Sequence, residues 1–343
     1  MSVTMEKSSL LLHGVPGSPY TRKMLAVLRY RRIAYRLYPS ALGVPGMPAA
    51  KPPLLPTFYL EGADGQTQAV TDSTPLIRRF EAAYAGRSVV PADPALAFID
   101  ALLEDFADEW LTKAMFHYRW TYAADIDKAG RVLAGWYEGP KDDATLTHIA
   151  KQIAGRQIPR LRYVGSNPMT GPVIEAGYLR VLQALEEHLR HHSFLMGARP
   201  GSSDFAMYGQ LTQLAQFDPT PAAIATAHAP RVCAWVALLE DLSGLEPQWQ
   251  SMDGFPASLQ MLLSEVGRLY VPVMLANAQA LAAGQGEVHA VVDGQPWVQQ
   301  SFVYQSKCLG WLRRDYRALT PPARAKVDQV LAGTGCQELL IGL

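Results

Sequence analysis

Three hydroxyl-bearing residues lie close together near the N-terminus, in the segment GSPYTRKML. Ser18, Tyr20 and Thr21 follow the short apolar run LLLHG and begin a stretch in which apolar residues recur at helical spacing. A hydroxyl in the first turn of a helix can cap free backbone N–H groups. It can also donate a hydrogen bond to a bound anion, which the positive end of the helix dipole stabilises further. The residues alone leave capping and anion binding open.

A second polar cluster, TDSTP, begins another predicted helix. Asp72 or Ser73 can cap this helix, and Pro75 suits its first turn. The free N–H groups at such a start also form a ready site for a carboxylate. Capping and carboxylate binding are compatible, so the sequence does not separate them.

A proline in the segment LLPTF begins a predicted strand. Pro56 has no N–H group to donate to a strand ladder, so it needs a special position. One interpretation is a trans proline on an edge strand. The other is a cis bond between Leu55 and Pro56, which usually marks a constrained turn.

The elements that position these residues follow from the apolar pattern. Strands are predicted at LLLHG, IAYRLYP, LPTFYLEG and QTQAV, and helices at PYTRKMLAVLRYRR and TDSTPLIRRFEAAYAG. The order is β-α-β, a loop rich in proline and glycine, then β-β-α. From Pro91 onward strand signals nearly disappear, and long amphipathic helices such as PALAFIDALLEDFADEWLTKAMFHYRW are predicted.

This order, with GSPYTRK, LLPTF and TDSTPLI at the matching places, resembles the N-terminal domain of the cytosolic glutathione transferases. The resemblance implies an α/β thioredoxin-like domain (βαβ-ββα) at residues 1–88 and an all-α domain at residues 92–250. The segment from Gly201 to Asp204 resembles the cap of the core helix in the family's helical domain, so Asp204 is expected to serve folding rather than catalysis.

Residues 251–343 form an extension that ordinary members of the family lack. Apolar periodicity predicts a helix that is kinked at Pro272, then a hairpin at EVHAVVDGQPWVQQ and two further helices. We expect the extension to pack on the helical domain. A lid over a second-substrate pocket and a dimerisation element remain open as its role.

The resemblance also implies how glutathione is held. Leu55, preceding a cis Pro56, would pair its backbone with the peptide-like ligand. Asp72 would take the ammonium of the γ-glutamyl group, and Ser73 its carboxylate. Lys51, in the loop before the strand, is a weaker candidate for the glycine carboxylate, because its spacing is not the usual one and a solvated loop lysine is the preferred interpretation.

The family resemblance gives the opening hydroxyls a specific ligand. SPYT stands where related thioredoxin-like proteins carry Cys-x-x-Cys, so disulfide exchange, which needs a thiolate nucleophile, is not predicted. Ser18 is predicted to donate a hydrogen bond to the glutathione thiolate, with Tyr20 or Thr21 as alternative donors. A charge-assisted hydrogen bond of about 1.5–3 kcal/mol lowers a thiol pKa by about 1–2 units.

Composition narrows the range of partners. Lys plus Arg and Asp plus Glu both number 31, so the net charge is zero and the sequence predicts neither nucleic acid nor an anionic membrane as partner. The three cysteines are scattered, which fits a reducing cytoplasm and no cysteine metal site. His188 and His192 share a helix face, but a solvated polar helix end is the preferred interpretation. No signal peptide and no membrane-spanning segment are predicted.

The sequence therefore predicts a cytoplasmic, homodimeric glutathione transferase-like enzyme. It would conjugate the glutathione thiolate to a small hydrophobic electrophile and would need no metal. The alternative is a catalytically silent relative that binds a ligand or a partner protein, because a fold does not fix a function.

Overall fold

The computed structural model describes residues 9–40, 43–136, 139–249, 251 and 255–341. Residues 1–8, to which the signal-peptide prediction applies, lie outside these ranges. The strands are β1 (Leu10–His13), β2 (Tyr35–Tyr38), β3 (Thr57–Glu61), β4 (Thr67–Val70), β5 (Glu287–Val292) and β6 (Gln295–Gln300). The helices of the first segment are α1 (Pro19–Tyr30) and α2 (Ser73–Ala83).

The first segment is the predicted thioredoxin-like domain. Its four strands lie in the order β2-β1-β3-β4, with β1 parallel to β2 and antiparallel to β3. Leu12 at the centre of the sheet pairs with Leu37 on one side and with Phe58 on the other. Helix α1 supplies the crossover that a parallel strand pair requires. The predicted order β-α-β followed by β-β-α is confirmed.

The second segment is helical, as predicted. Its α-helices are α3 (Pro94–Phe106), α4 (Thr112–Thr121), α5 (Ala123–Gly135), α6 (Asp143–Gln157), α7 (Gly171–His188), α8 (Ser202–Leu211), α9 (Pro219–His228) and α10 (Pro230–Leu238). π-helical turns at Ala107–Leu111 and Thr212–Phe217 continue α3 into α4 and extend α8. Helix α8 packs against both α1 and α3, so it joins the two domains.

Asp204 holds the start of α8 through backbone amides. Its carboxylate accepts hydrogen bonds from the N–H groups of Gly201 and Leu195, each at 2.8 Å. Gly201 has no side-chain oxygen to cap the helix, so Asp100 of α3 accepts hydrogen bonds from the first N–H groups of α8, those of Ser202 at 3.2 Å and Ser203 at 3.1 Å. Complete burial raises the pKa of Asp204 to about 8, against the opposing effect of the Leu195 and Gly201 amides.

The third segment comprises helices and one hairpin. Its α-helices are α11 (Ala257–Glu265), α12 (Val271–Ala282), α13 (Val303–Ala318) and α14 (Pro321–Leu331). β5 and β6 pair antiparallel across Asp293–Gly294, both at positive φ, and this confirms the predicted hairpin. A π-helical turn at Val266–Tyr270 joins α11 to α12 just before Pro272, where the sequence predicts a kink.

The extension shares the core of the helical domain. Trp297 of the hairpin is 1% exposed and packs on Trp110, with ring centroids 5.3 Å apart. Tyr270 donates a hydrogen bond to Asp105 at 2.5 Å, and Lys113 donates one to Gln299 at 3.0 Å. The extension therefore covers carboxylate and ammonium groups that a two-domain protein would expose along this face of α3 and α4.

One helix departs from the membrane prediction. The helical run Ala257–Ala282 is long and apolar enough to span a bilayer by length and composition, whereas the sequence predicted no such segment. Within this protein 56% of its most apolar window is buried, and it packs against α7 and β5. A buried core helix meets the same criteria of length and composition, and its packing here is of that kind.

Candidate functional site

The loop between β1 and α1 is clamped by the helical domain. Arg119 donates a hydrogen bond from Nη1 to the carbonyl of Gly17, and Gln213 donates one from Nε2 to the carbonyl of Pro16, both at 3.1 Å. Asp218 fixes Arg119 through contacts of 2.8–3.0 Å to Nε and Nη2. The guanidinium and the carboxylate are both buried, so the clamp is shielded from competing water. No local sequence pattern predicts this clamp, because its partners are about 100 to 200 positions apart.

Ser18 lies at the end of this loop and caps α1. Its Oγ accepts a hydrogen bond from the N–H of Thr21 at 3.2 Å, and Pro19 occupies the first turn. The same hydroxyl donates to the carbonyl of Leu55 at 3.3 Å, long for an O–H···O bond. Ser18 thus faces the strand start that was predicted to hold a peptide-like ligand.

The two alternative donors are turned away from Leu55. Tyr20 donates its hydroxyl to the carbonyl of Asp108 at 2.7 Å, and burial raises its pKa well above the usual value. Thr21 is fully buried, and its Oγ1 would lie 2.8 Å from a Cβ placed on Gly14. Of the three predicted hydroxyls, Ser18 is therefore the one positioned to meet a ligand at Leu55.

The peptide bond between Leu55 and Pro56 is cis. Leu55 is partly exposed, whereas Pro56 is buried at the start of the strand. Thr57 donates its hydroxyl to the carbonyl of Leu54 at 2.7 Å and so fixes the turn before β3. Lys51 lies exposed in the loop that precedes this turn.

Asp72 and Ser73 begin α2, as predicted, but each already has a partner. Asp72 adopts a φ of 82°, and its Oδ2 accepts a hydrogen bond of 2.8 Å from the hydroxyl of Tyr304. Burial raises the pKa of Asp72, while this hydrogen bond opposes the shift. Ser73 is buried, and its Oγ accepts a hydrogen bond from Lys23 at 3.2 Å. The two groups are therefore already hydrogen-bonded within the protein.

Lys23 is the hub of a buried ionic network beneath α2. Its Nζ lies 2.8 Å from Glu104 and 2.6 Å from Asp108, and the side chain is 1% exposed. Burial alone would raise the pKa of Glu104, but Lys23 and Arg78 outweigh it and lower that pKa to about 2. For Asp108 burial dominates, and its pKa rises to about 6 despite Lys23. Through the hydrogen bond from Lys23, this network also fixes the hydroxyl of Ser73.

Apolar side chains lie directly beside the Ser18 loop. A Cβ on Gly17 would come within 2.4 Å of Leu133 and 2.5 Å of Trp136, so a larger residue at this position would require these side chains to shift. The Trp136 ring packs on Phe217, with centroids 5.7 Å apart. Leu133 and Trp136 form an apolar wall against Gly17, the residue that directly precedes Ser18.

Within the ranges that the structure describes, no group of three His, Cys, Asp or Glu side chains is placed to hold a metal ion. His188 is buried and bonded through Nδ1 to Ser258 and through Nε2 to the carbonyl of Phe194, each at 3.0 Å. Burial lowers its pKa to about 4. The sequence interpretation of a solvated histidine cluster is thus wrong for His188, which is a structural core residue.

Two family models match the chain. The N-terminal domain of the glutathione S-transferases matches residues 12–88, and their C-terminal domain matches residues 175–241. No curated protein matches the chain.

Several solved structures are similar to the chain. A glutathione S-transferase-like protein from Pseudomonas syringae shares 20% identity over 68% of this chain and 67% of its own, with a TM-score of 0.42. The β-etherase LigF from Sphingobium sp. strain SYK-6 shares 19% sequence identity over 67% of this chain and 94% of its own, with a TM-score of 0.47. A third structure is a glutathione transferase from Pseudomonas putida with glutathione disulfide bound. It shares 13% sequence identity over 69% of this chain and 88% of its own, with a TM-score of 0.41.

Proposed function

Because the chain belongs to the glutathione S-transferase family, we propose that it binds glutathione and conjugates its thiolate to a small hydrophobic electrophile. The observation that carries this proposal is the position of Ser18. Its hydroxyl caps α1 and faces the carbonyl of Leu55, while Tyr20 and Thr21 are turned away. A ligand paired with the Leu55 backbone would bring its sulfur to this hydroxyl.

Ligand binding would release the hydrogen of Ser18 for the sulfur. A serine hydroxyl has one hydrogen to donate, and here it goes to the carbonyl of Leu55 over a long 3.3 Å contact. An N–H group of an extended peptide is the natural partner of that carbonyl. Once the N–H occupies Leu55, the Ser18 hydrogen can turn to the thiolate, which the positive end of the α1 dipole also stabilises.

The remaining groups would orient the two substrates. Ser73 and the free N–H groups of α2 suit the γ-glutamyl carboxylate, and Asp72 suits its ammonium. The wall formed by Leu133 and Trp136 would hold an apolar electrophile beside the sulfur. The thiolate would then form the new S–C bond while the leaving group departs with the electron pair. Rate enhancement would come from the lowered thiol pKa and from proximity.

A second candidate function follows from the same hydroxyl. Ser18 already accepts from Thr21 and donates to Leu55, and these bonds satisfy a purely structural cap. A relative that binds glutathione or a partner protein without catalysis would keep this arrangement. Binding with an unchanged thiol pKa would distinguish that function from conjugation.

The test is the ultraviolet absorbance of the glutathione thiolate, measured on bound ligand across pH. We expect the wild type to lower the thiol pKa by about 1–2 units, as one charge-assisted hydrogen bond allows. Ser18→Ala and Ser18→Gly should both abolish the shift. Glycine caps a helix nearly as well as serine, so the second variant separates donation from capping.

Tyr20→Phe serves as the matched control, because it removes a neighbouring hydroxyl that is bonded to Asp108. It should leave the shift intact. An unshifted pKa in the wild type would favour the silent binder, and no binding at millimolar glutathione would end the glutathione proposal altogether.

A homodimer in the cytoplasm is part of the same proposal. Light scattering of the purified chain tests the dimer, and fractionation of the source cells tests the location.

A further inference from the structure

The extension reaches the start of α2 through one side chain. Tyr304, the second residue of α13, donates its hydroxyl to Oδ2 of Asp72 at 2.8 Å, across 232 positions of the sequence. We propose that Tyr304 is a positioning residue that holds the Asp72 carboxylate for the ammonium of the ligand. This inference rests on the proposed function and adds a residue from outside the two family domains.

Tyr304 is itself held firmly. Asn277 of α12 is fully buried and grips the backbone of Phe302 from both sides, donating to its carbonyl at 2.9 Å and accepting from its N–H at 2.8 Å. The ring of Tyr304 packs edge-on against Trp311, with centroids 6.0 Å apart. The loop between β6 and α13 is thereby fixed immediately before Tyr304, so the hydroxyl has a defined place.

The chemistry of the contact favours positioning over neutralisation. An ionised carboxylate offers about four lone-pair sites, and the hydroxyl of Tyr304 uses one of them on Oδ2 of Asp72. A phenol is a neutral donor, so its hydrogen bond orients the carboxylate without cancelling a negative charge. Lys23, the buried cation of this region, is engaged by Glu104 and Asp108. Asp72 is therefore oriented by a neutral donor, while Lys23, which also attracts it, makes its ion pairs with Glu104 and Asp108.

The extension also lines a cavity at the first turn of α2. A cavity of about 320 Å³ has Thr74 and Pro75 of α2 on one side and Trp311 and Leu312 of α13 on the other. The two α2 residues directly follow Ser73 in the chain. The extension thus contributes both a hydrogen-bond donor to Asp72 and a wall next to the same helix start.

The proposal predicts selectivity for the ligand's amino group. The experiment compares the affinities for glutathione and for its analogue without the γ-glutamyl amino group, by titration calorimetry at pH 7. In Tyr304→Phe the preference for glutathione should fall about tenfold, the equivalent of about 1.4 kcal/mol. Affinity for the analogue should stay unchanged, because it places no ammonium at Asp72. Asp72→Asn should show the same selective loss.

A matched control lies on the same helix. Tyr316 donates its hydroxyl to Asp328 at 2.6 Å, so Tyr316→Phe removes an equivalent bond away from α2. It should leave both affinities unchanged. Thermal melts of both variants report whether either change disturbs the fold.

The outcomes separate this inference from the proposed function. An equal loss for both ligands, no change, or tighter glutathione binding in Tyr304→Phe overturns the positioning role. Tighter binding would mean that Tyr304 competes with the ammonium. If Asp72→Asn loses the preference for glutathione and Tyr304→Phe keeps it, the role of Tyr304 is overturned and that of Asp72 stands. A wild type that binds neither ligand at millimolar concentration overturns both proposals.

Discussion

Replacing Lys23 with methionine tests the buried network most directly. Lys23 lies on α1 and is paired with Glu104 at 2.8 Å and with Asp108 at 2.6 Å, out of contact with solvent. Methionine keeps most of the side-chain length and removes the charge. Glu104 would retain Arg78 at 3.3 Å, so Asp108 would become the buried carboxylate without a cation.

The expected loss is about 3–5 kcal/mol of unfolding free energy at pH 7, because removing one partner leaves an uncompensated buried charge. The pKa of Glu104 indicates the same direction for the effect of Lys23. Against the raising effect of burial, Lys23 and Arg78 hold that pKa at about 2 rather than 4.5. This lowering is the combined result of Lys23, Arg78 and Ser202 acting against burial, so removing Lys23 takes away part of it.

The pH dependence has a definite sign. In the wild type the pKa of Glu104 is lowered, so its contribution is complete above pH 4.5 and is lost as the pH falls through about 2. In Lys23→Met the carboxyl pKa values rise, because burial then acts with less opposition. Proton uptake relieves the buried charge, so the difference between variant and wild type should shrink from pH 7 to pH 5.

The assay is urea unfolding of both proteins at pH 7 and pH 5. Lys326→Met is the control, since that lysine is half exposed, lies 3.6 Å from Asp93, and should cost less than about 1 kcal/mol. Lys23→Met combined with Asp108→Asn should recover part of the loss. A loss below about 1 kcal/mol for Lys23→Met, or a loss independent of pH, would refute the reasoning.

Two further predictions concern Asp105 and the glycine beside Ser18. Burial raises the pKa of Asp105 to about 7, so the folded protein retains a proton that the unfolded chain has released. Release of this proton should lower the free energy of unfolding of the wild type by about 1.4 kcal/mol between pH 6 and pH 8. Urea unfolding of Asp105→Asn should not show this decrease. Gly17→Ala, whose Cβ would meet Leu133 at 2.4 Å, should cost about 1–3 kcal/mol and weaken glutathione binding. Gly155→Ala, in an open helical position, should instead stabilise by about 0.5–1 kcal/mol in the same melts.

The extension is part of the protein's core. Trp297 packs on Trp110 of the helical domain. Tyr270 donates a hydrogen bond to Asp105, and Gln299 accepts one from Lys113. These contacts bury groups from both sides at once. Through these contacts the extension packs on the helical domain, while its role at the site stays with the proposal for Tyr304.

The sequence by itself determined the elements and the candidate hydroxyl. Local sequence patterns predict the order of strands and helices in the first domain. These patterns are apolar alternation in the strands, Ser18 before Pro19, and Asp72 before α2. The hairpin was equally readable from Asp293–Gly294. Such signals act within a few residues of the chain, so no knowledge of tertiary contacts is needed to interpret them.

The tertiary structure decided what each polar side chain does. In the sequence Lys23 is an ordinary helix lysine and Tyr304 an ordinary aromatic residue, yet the fold buries the first among carboxylates and sets the second on Asp72. Arg119 likewise holds Gly17, 102 positions away. Whether a charged or hydroxyl group is solvated or paired depends on which distant segments pack together. That is a property of the packed chain, which local periodicity and capping do not encode.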